Sequence, residues 1–84
     1  RKGVGRFDVE IEGRPAHSGS RHADGRNAIA EAARQILAIQ GMTDYARGIT
    51  TTVGMISGGT AMNVVPQFCR FGVDLRVVTA EDGE

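Results

Sequence analysis

The sequence contains one cysteine, no tryptophan, two prolines and no excess of charge of either sign. The single cysteine, Cys69, excludes an internal disulfide and a cysteine-rich zinc module. Lys and Arg together number 10, and so do Asp and Glu. The sequence therefore lacks the basic excess that is typical of proteins whose main partner is nucleic acid or an anionic membrane. No apolar run approaches the roughly 18 residues of a membrane span, and no signal-peptide core follows the basic N-terminus. These absences indicate a soluble protein and favour the cytoplasm over secretion, although they leave the compartment open.

Three segments have the pattern of β-strands. Apolar and polar residues alternate over residues 4–12 and again over residues 67–78, which is typical of a strand with one buried face. Residues 49–57 are rich in β-branched side chains, which favour strands. Cys69 falls on the apolar side of the third segment, so we interpret it as a buried structural thiol.

One helix is predicted over residues 27–40, with Asn27 or Asp24 as its N-cap and Gly41 as a C′ glycine. Residues 79–84 resemble the first turn of a second helix, with Thr79 as its cap. The stripe predicted to be buried in the first helix is Ile29, Ala32, Ala33, Ile36, Leu37 and Gln40.

The order β-α-β-β predicts an α+β protein, because each strand has one apolar face and an antiparallel sheet needs helices on one side only. A ferredoxin-like sandwich continues this order with one more helix and one more strand. We therefore expect residues 1–84 to be the first two-thirds of a ferredoxin-like domain, with the last helix and strand truncated.

Both histidines, His17 and His22, lie in a loop over residues 13–26 that is rich in glycine and serine. From spacing alone, His17 is most simply an ordinary surface histidine. A zinc site made of the two histidines and Asp24 is disfavoured, since no cysteine or further ligand stands nearby. The neighbouring serines are poor candidates for a nucleophile, because no acid can be assigned to orient a base.

Asn63 and Arg76 form a second candidate pair. Asn63 lies in a glycine-led turn, and Arg76 lies on the polar side of the third strand pattern. A guanidinium together with a carboxamide suits the binding of a carboxylate. A solvated arginine and a turn-forming asparagine explain the same two residues equally well, so the pattern alone leaves both interpretations open.

The strings GRPAHSGSRHADGRNAIAEAARQIL, SGGTAMNVVP and VDLRV occur in this order. Together they resemble the dimerisation (lid) domain of the zinc-dependent aminoacylase and carboxypeptidase family, over residues 4–84. That family includes glutamate carboxypeptidase, acetylornithine deacetylase and succinyl-diaminopimelate desuccinylase. The form of the helix string is most similar to the glutamate carboxypeptidase branch, and the same lid from a deacetylase or a desuccinylase is the alternative.

The resemblance implies that residues 1–84 are a lid fragment excised from a larger hydrolase of two domains. It also implies that the lid is inserted into a catalytic domain that holds two zinc ions, and that this chain holds no zinc ligand. It implies that His17 reaches into the active site of a second copy and stabilises the oxyanion, and that Asn63 and Arg76 bind the carboxylate of a small peptide or an N-acyl amino acid. It gives His22 no role. The isolated chain is expected to be inactive.

The resemblance also implies a homodimer, which we expect to form through strand 49–57, whose backbone groups should be unpaired at a sheet edge, and helix 27–40. Two other hypotheses stay open at this point. One is a free-standing ferredoxin-like module that senses an amino acid. The other is a purely structural interface domain in which His17 has no function.

Overall fold

The computed structural model describes residues 2–78, which form a three-stranded antiparallel sheet with one helix on one face. The predicted β-α-β-β order and the α+β, ferredoxin-like class are confirmed. The predicted helix start at residues 79–84 lies outside the described residues. The elements are β1 (Lys2–Glu12), β2 (Ala16–His17), α1 (Ala28–Gln40), β3 (Ile49–Gly58), β4 (Val64–Val65) and β5 (Phe68–Val78), with 3₁₀ turns at His22–Asp24 and Tyr45–Arg47.

The sheet has the order β1-β5-β3, so β5, which follows both of its neighbours in the sequence, is the central strand. Its pairing with β1 runs without a break from Lys2 opposite Val78 to Glu12 opposite Phe68. The predicted alternation in β5 is confirmed, because every second side chain points to the helix. Three of these side chains are buried and form the centre of the core, namely Cys69, Phe71 and Val73.

Helix α1 begins where the sequence predicts, because the Asn27 side chain accepts a hydrogen bond from the Ala30 N–H at 2.9 Å. It ends at Gly41, whose φ of −67° is right-handed, so the left-handed C′ conformation expected there does not occur.

The predicted buried stripe of α1 is wrong in part. The side chains that pack on the sheet are Ala28, Ala32, Ile36 and Ile39. The helix carries two neighbouring apolar stripes with the same spacing, and the sheet covers only the one that begins with two alanines. Small residues there allow a close approach of helix and sheet.

The second apolar stripe of α1 stays exposed, and we call Ile29, Ala33 and Leu37 the helix flank; Leu37 is 74% exposed. This flank lies on the β3 side of the helix, because a Cβ on Gly59, just after β3, would be 3.4 Å from Ile29 Cδ1. The sequence pattern correctly identifies these residues as an apolar stripe, but it does not show that this stripe points away from the sheet.

The outer edge of β3 is paired over its first half, contrary to expectation. The N–H groups of Ile49, Thr51 and Val53 point away from β5. They donate to the Asp44 carbonyl (2.9 Å), Thr43 Oγ1 (3.0 Å) and Gln40 Oε1 (3.1 Å), respectively. We call residues 49–53 the capped edge. The connection from α1 to β3 folds back on the strand and supplies these acceptors.

A bulge at Gly54 separates the capped edge from the rest of β3, because the register with β5 shifts between Val53 and Met55. Beyond the bulge, Gly59 N–H donates to the Phe68 carbonyl, so position 59 points towards β5 and Ile56 and Gly58 point outwards. We call residues 54–58 the open edge. In the described part of the chain no group is bonded to the outward positions of Ile56 and Gly58.

A second, two-stranded sheet pairs β2 with β4 where a plain loop and a turn were expected. It lies beyond the Phe68 end of β5 and lengthens the molecule, which measures 58 × 17 × 15 Å. Within residues 2–78, no helix has both the length and the apolar character needed to cross a membrane.

Candidate functional site

The loop that carries both histidines is fastened by backbone hydrogen bonds. Arg14 and Arg26 exchange two N–H···O bonds of 2.9 and 2.8 Å, which close residues 14–26 into a compact loop. Gly13 precedes this bridge, and a Cβ there would overlap the Arg26 carbonyl oxygen. The backbone therefore passes through a space that only glycine fits, and the loop has a defined conformation held by hydrogen bonds.

His17 lies on β2, and its imidazole is oriented by the loop that follows. The backbone N–H groups of Gly19 and Ser20 both donate to His17 Nδ1, at 3.1 and 3.2 Å. A nitrogen that accepts two hydrogen bonds carries no proton, so these contacts assign the ring proton to Nε2. The residue is exposed. The loop thus presents an oriented Nε2–H donor at the surface.

Asn63 is brought next to His17 by the small sheet. Val64 stands opposite His17, and the Ser18 N–H donates to the Asn63 carbonyl at 3.0 Å. The Asn63 side chain is exposed, and within residues 2–78 it makes no hydrogen bond. His17 and Asn63 therefore form one cluster, which we call the loop end of the molecule.

Arg76 lies on the face of the sheet that points away from α1. Its Nε donates to Asp74 Oδ2 at 3.0 Å, and Arg6 Nε on β1 donates to the other oxygen of the same carboxylate at 3.4 Å. The hydrogen bond from Arg76 is the main cause that lowers the pKa of Asp74, and partial burial opposes it. We call Arg6, Asp74 and Arg76 the strand end. Two guanidinium groups share one carboxylate there, so the group carries a net positive charge.

One copy of the chain does not bring Arg76 to the other two candidates. Asn63 lies beyond Phe68, and Arg76 follows Phe68 by eight residues of extended strand, which is roughly 26 Å. No single small carboxylate spans that distance. The expected pair of Asn63 and Arg76 is therefore not formed within one chain.

A further cluster on the same face was not foreseen from the sequence. Arg70 contacts Asp8 at 3.0 Å and Glu10 at 3.8 Å. The hydrogen bond from Arg70 to Asp8 raises the pKa of the Arg70 guanidinium. This cluster has two carboxylates for one guanidinium, the reverse of the strand end. The alternation of β1 and β5 placed these side chains on one face, but only the register shows which of them meet.

His22 and Cys69 have no part in either cluster. His22 begins a 3₁₀ turn and is exposed, and Cys69 is fully buried, as expected. Among residues 2–78, no group of three His, Cys, Asp or Glu side chains is placed to hold a metal ion. His17 Nδ1 is also occupied by two N–H donors. The described residues therefore do not fit a zinc site.

Comparison with known proteins agrees with this architecture. The model of the peptidase dimerisation domain family matches residues 1–84. The indole-3-acetyl-aspartic acid hydrolase of Enterobacter agglomerans is 34% identical over 77 residues, which cover 90% of this chain and 18% of that protein. A p-aminobenzoyl-glutamate hydrolase chain of Escherichia coli is 33% identical over 72 residues, covering 84% of this chain and 16% of that protein.

Among solved structures, the aminobenzoyl-glutamate utilization protein of Klebsiella pneumoniae superposes with a TM-score of 0.84 at 32% identity. The match covers 94% of this chain and 20% of that one. The chain thus spans about a sixth to a fifth of the length of these relatives, which are named as hydrolases or utilization proteins. With the whole sequence matched by the family model and the fold matched by a solved structure, the chain belongs to the peptidase dimerisation domain family.

Proposed function

We propose that this chain is the dimerisation domain of a homodimeric, zinc-dependent amidohydrolase of the glutamate carboxypeptidase type. The reaction is hydrolysis of an amide bond next to a free carboxylate, in a small peptide or an N-acyl amino acid. The remainder of the enzyme, including the zinc ions that activate water and polarise the amide carbonyl, belongs to a separate catalytic domain. The residues of this chain do not bind zinc in this proposal.

The observation that carries the proposal is the oriented Nε2–H of His17. An amide carbonyl that is attacked by water develops negative charge on its oxygen, and a preorganised N–H donor stabilises that charge. The amides of Gly19 and Ser20 fix the ring through Nδ1, so the donor needs no reorganisation when charge develops. His17 is exposed at one end of an elongated domain, where it is available to a site formed with another chain.

Arg76 and Asn63 supply the binding of the carboxylate in this proposal. The terminal nitrogens of Arg76 are not used on Asp74, which takes only Nε, so they are available for a bidentate contact. Since one copy holds Arg76 at least about 26 Å from the loop end, the two residues reach one substrate only if they come from different copies.

A two-fold pairing of β3 with its own copy provides that arrangement. Two antiparallel strands run in opposite directions, so the strand end of one copy lies at the same end of the joined sheet as the loop end of the other. The same operation keeps both helices on one face of the sheet. In this proposal, the site is completed by His17 of the partner subunit together with Arg76 of the first subunit.

The relatives suggest the substrate class. Two of them are named for conjugates of an acidic amino acid, indole-3-acetyl-aspartic acid and p-aminobenzoyl-glutamate. A substrate of this kind carries a carboxylate for Arg76 and an amide carbonyl for His17. We therefore propose an N-acyl aspartate or N-acyl glutamate as the substrate.

Subunit complementation tests the proposal on the full-length enzyme. His17→Ala and Arg76→Ala are prepared separately, mixed, dissociated and reassociated. A mixed dimer has one site with both defects and one site with neither. Half of the dimers are mixed and half of their sites are intact, so activity should recover to roughly a quarter of the wild-type value. If each site used His17 and Arg76 of the same copy, mixing would restore nothing, and the proposal would be wrong.

A further inference from the structure

The two halves of the β3 edge differ in whether they can pair with another strand. In the capped edge, the outward N–H groups of Ile49, Thr51 and Val53 already have acceptors within the chain. In the open edge, Ile56 and Gly58 point outwards, and nothing in residues 2–78 is bonded there. An unpaired strand edge is a template for a further strand, whereas an edge with satisfied groups is not.

Two antiparallel registers are available to a pair of β3 strands. One uses the whole strand and places Ile49 opposite Gly58 of the partner subunit; because of the bulge, both of these positions point outwards. The other places Ile56 opposite its own copy and uses the open edge alone. The first register offers more hydrogen bonds, but it needs the three N–H groups that Asp44, Thr43 and Gln40 occupy.

The surroundings of the open edge suit a second copy of this chain. Residues near a two-fold axis meet their own copies, so charged residues there would repel each other. Met55, Ile56 and Ser57 are uncharged, and so are all members of the helix flank beside them. Ile56 is 54% exposed on the helix side of the sheet, next to that flank. Edge pairing would cover both apolar surfaces at once.

We propose that the side chains of Gln40 and Thr43 act as register determinants, which block the whole-strand register and direct self-pairing to the open edge, centred on Ile56. This inference rests on the proposed homodimer and adds its register. The centred register brings position 62 of the partner subunit level with Thr50 along the strand direction. Arg76, which pairs with Thr50 on the next strand, then lies beside the turn that leads to the partner subunit's Asn63.

Distances between spin labels on the full-length protein distinguish the registers. Ser57→Cys and Thr50→Cys are each labelled, in a background without other accessible cysteines; both side chains are on the face away from α1. In the centred register the Cα atoms of position 57 lie about 8 Å apart and those of position 50 about 40 Å apart. In the whole-strand register both pairs lie about 23 Å apart.

A short distance at position 57 with a long one at position 50 supports the proposed register. Two similar, intermediate distances, or any other pair of values, overturn it while leaving the homodimer intact. A protein that is monomeric at micromolar concentration contradicts the proposed function itself, so the two failures are distinguishable.

The role of Gln40 and Thr43 is tested by substitutions that remove the side-chain oxygens that accept from β3. Gln40→Leu and Thr43→Val, singly and together, free the N–H groups of Val53 and Thr51, so residues 51–56 can pair in the whole-strand register while Ile49 keeps its backbone bonds to Asp44. The variants should therefore produce a second population with the intermediate distance of that register at both labelled positions. Gln35→Leu is the matched control, because Gln35 lies on the same helix but bonds to Glu31 and not to β3. If the distances of the Gln40 and Thr43 variants match those of the control, these side chains do not set the register. The single variants keep the test decisive if the double variant is poorly folded.

Discussion

The loop end and the strand end of this domain hold their candidate residues by different means. At the loop end, backbone N–H groups orient His17, and a backbone bridge between Arg14 and Arg26 holds the loop. At the strand end, Arg76 projects from a regular strand and is oriented by the side chain of Asp74. The geometry of the loop end depends on the backbone conformation, whereas the geometry of the strand end depends on an ion pair.

This difference has consequences for how each end tolerates change. The geometry of a site held by backbone hydrogen bonds changes with any substitution that alters the backbone conformation. It is insensitive to salt, because those hydrogen bonds involve no net charges. A site built from exposed ion pairs responds to charge, pH and ionic strength, since such pairs are weak and screened. The two ends are therefore separable by their responses to substitutions that alter the backbone path and to substitutions that remove a charge.

The largest effect is expected at the loop end. His17→Ala in the full-length enzyme should lower kcat by roughly 10²–10³, the usual loss for one oxyanion donor, with little change in the melting temperature. His22→Ala is the matched control, because His22 lies on the same loop and is also exposed. Steady-state kinetics give the comparison. A loss of kcat below about threefold for His17→Ala would contradict its assignment.

The next effect is expected in substrate binding. Arg76→Gln should raise KM by roughly 10–150-fold, because a charge-assisted hydrogen bond is worth about 1.5–3 kcal/mol. The KM of a substrate whose carboxylate is amidated should rise much less. Arg70→Gln, which removes an equally exposed arginine on the same strand face, should leave both KM values near wild type. An equal rise in KM for the two substrates would show that Arg76 has a structural role and does not bind the carboxylate.

The dependence of the loop end on the chain path is tested at glycine positions. Gly13→Ala should destabilise the protein by about 1–3 kcal/mol, because its Cβ would overlap the Arg26 carbonyl and force the backbone to move. Gly5→Ala is the control, since a Cβ at Gly5 has no neighbour within 4 Å. Denaturant unfolding measures both. Similar stabilities for the two variants would show that the loop moves freely.

The smallest effect is the pH response of the strand end. The pKa of Asp74 is lowered in the folded chain, chiefly by the hydrogen bond from Arg76. The ion pair therefore adds stability above the ordinary Asp pKa of about 3.9, and this contribution is lost as pH falls through the folded value. An NMR titration of the Asp74 carboxyl should give a value below the ordinary one. In Arg76→Gln it should rise, and if it does not, Arg76 is not the cause.

The sequence predicts the sheet and the helix well, because alternation and helical spacing report directly on which faces are apolar. It does not predict the pairing of β2 with β4 or the capping of β3 by Gln40 and Thr43. Those hydrogen bonds join loop and edge groups that have no periodic pattern. Helix α1 is the intermediate case, since two apolar stripes with one spacing leave open which of them meets the sheet.

The same limit applies to the candidate site. The motifs propose His17, Asn63 and Arg76 as site residues, but they do not predict how the three are grouped, because the distance between Asn63 and Arg76 depends on the direction of β5. Asp74 and Arg6 were missed as partners of Arg76. The alternation of two strand patterns places all three on one face, and only the register between β1 and β5 brings them into contact.

The central position of β5 has a consequence for how this domain is made. In the described part of the chain, β1 and β3 pair with no strand other than β5, which is synthesised after both of them. Partners in β1 and β5 are far apart in the sequence, from Glu12 opposite Phe68 to Lys2 opposite Val78. Such non-local contacts slow folding. During translation, β1 and the edge of β3 that faces β5 therefore remain unpaired until β5 emerges, which exposes the nascent chain to premature association with its neighbours.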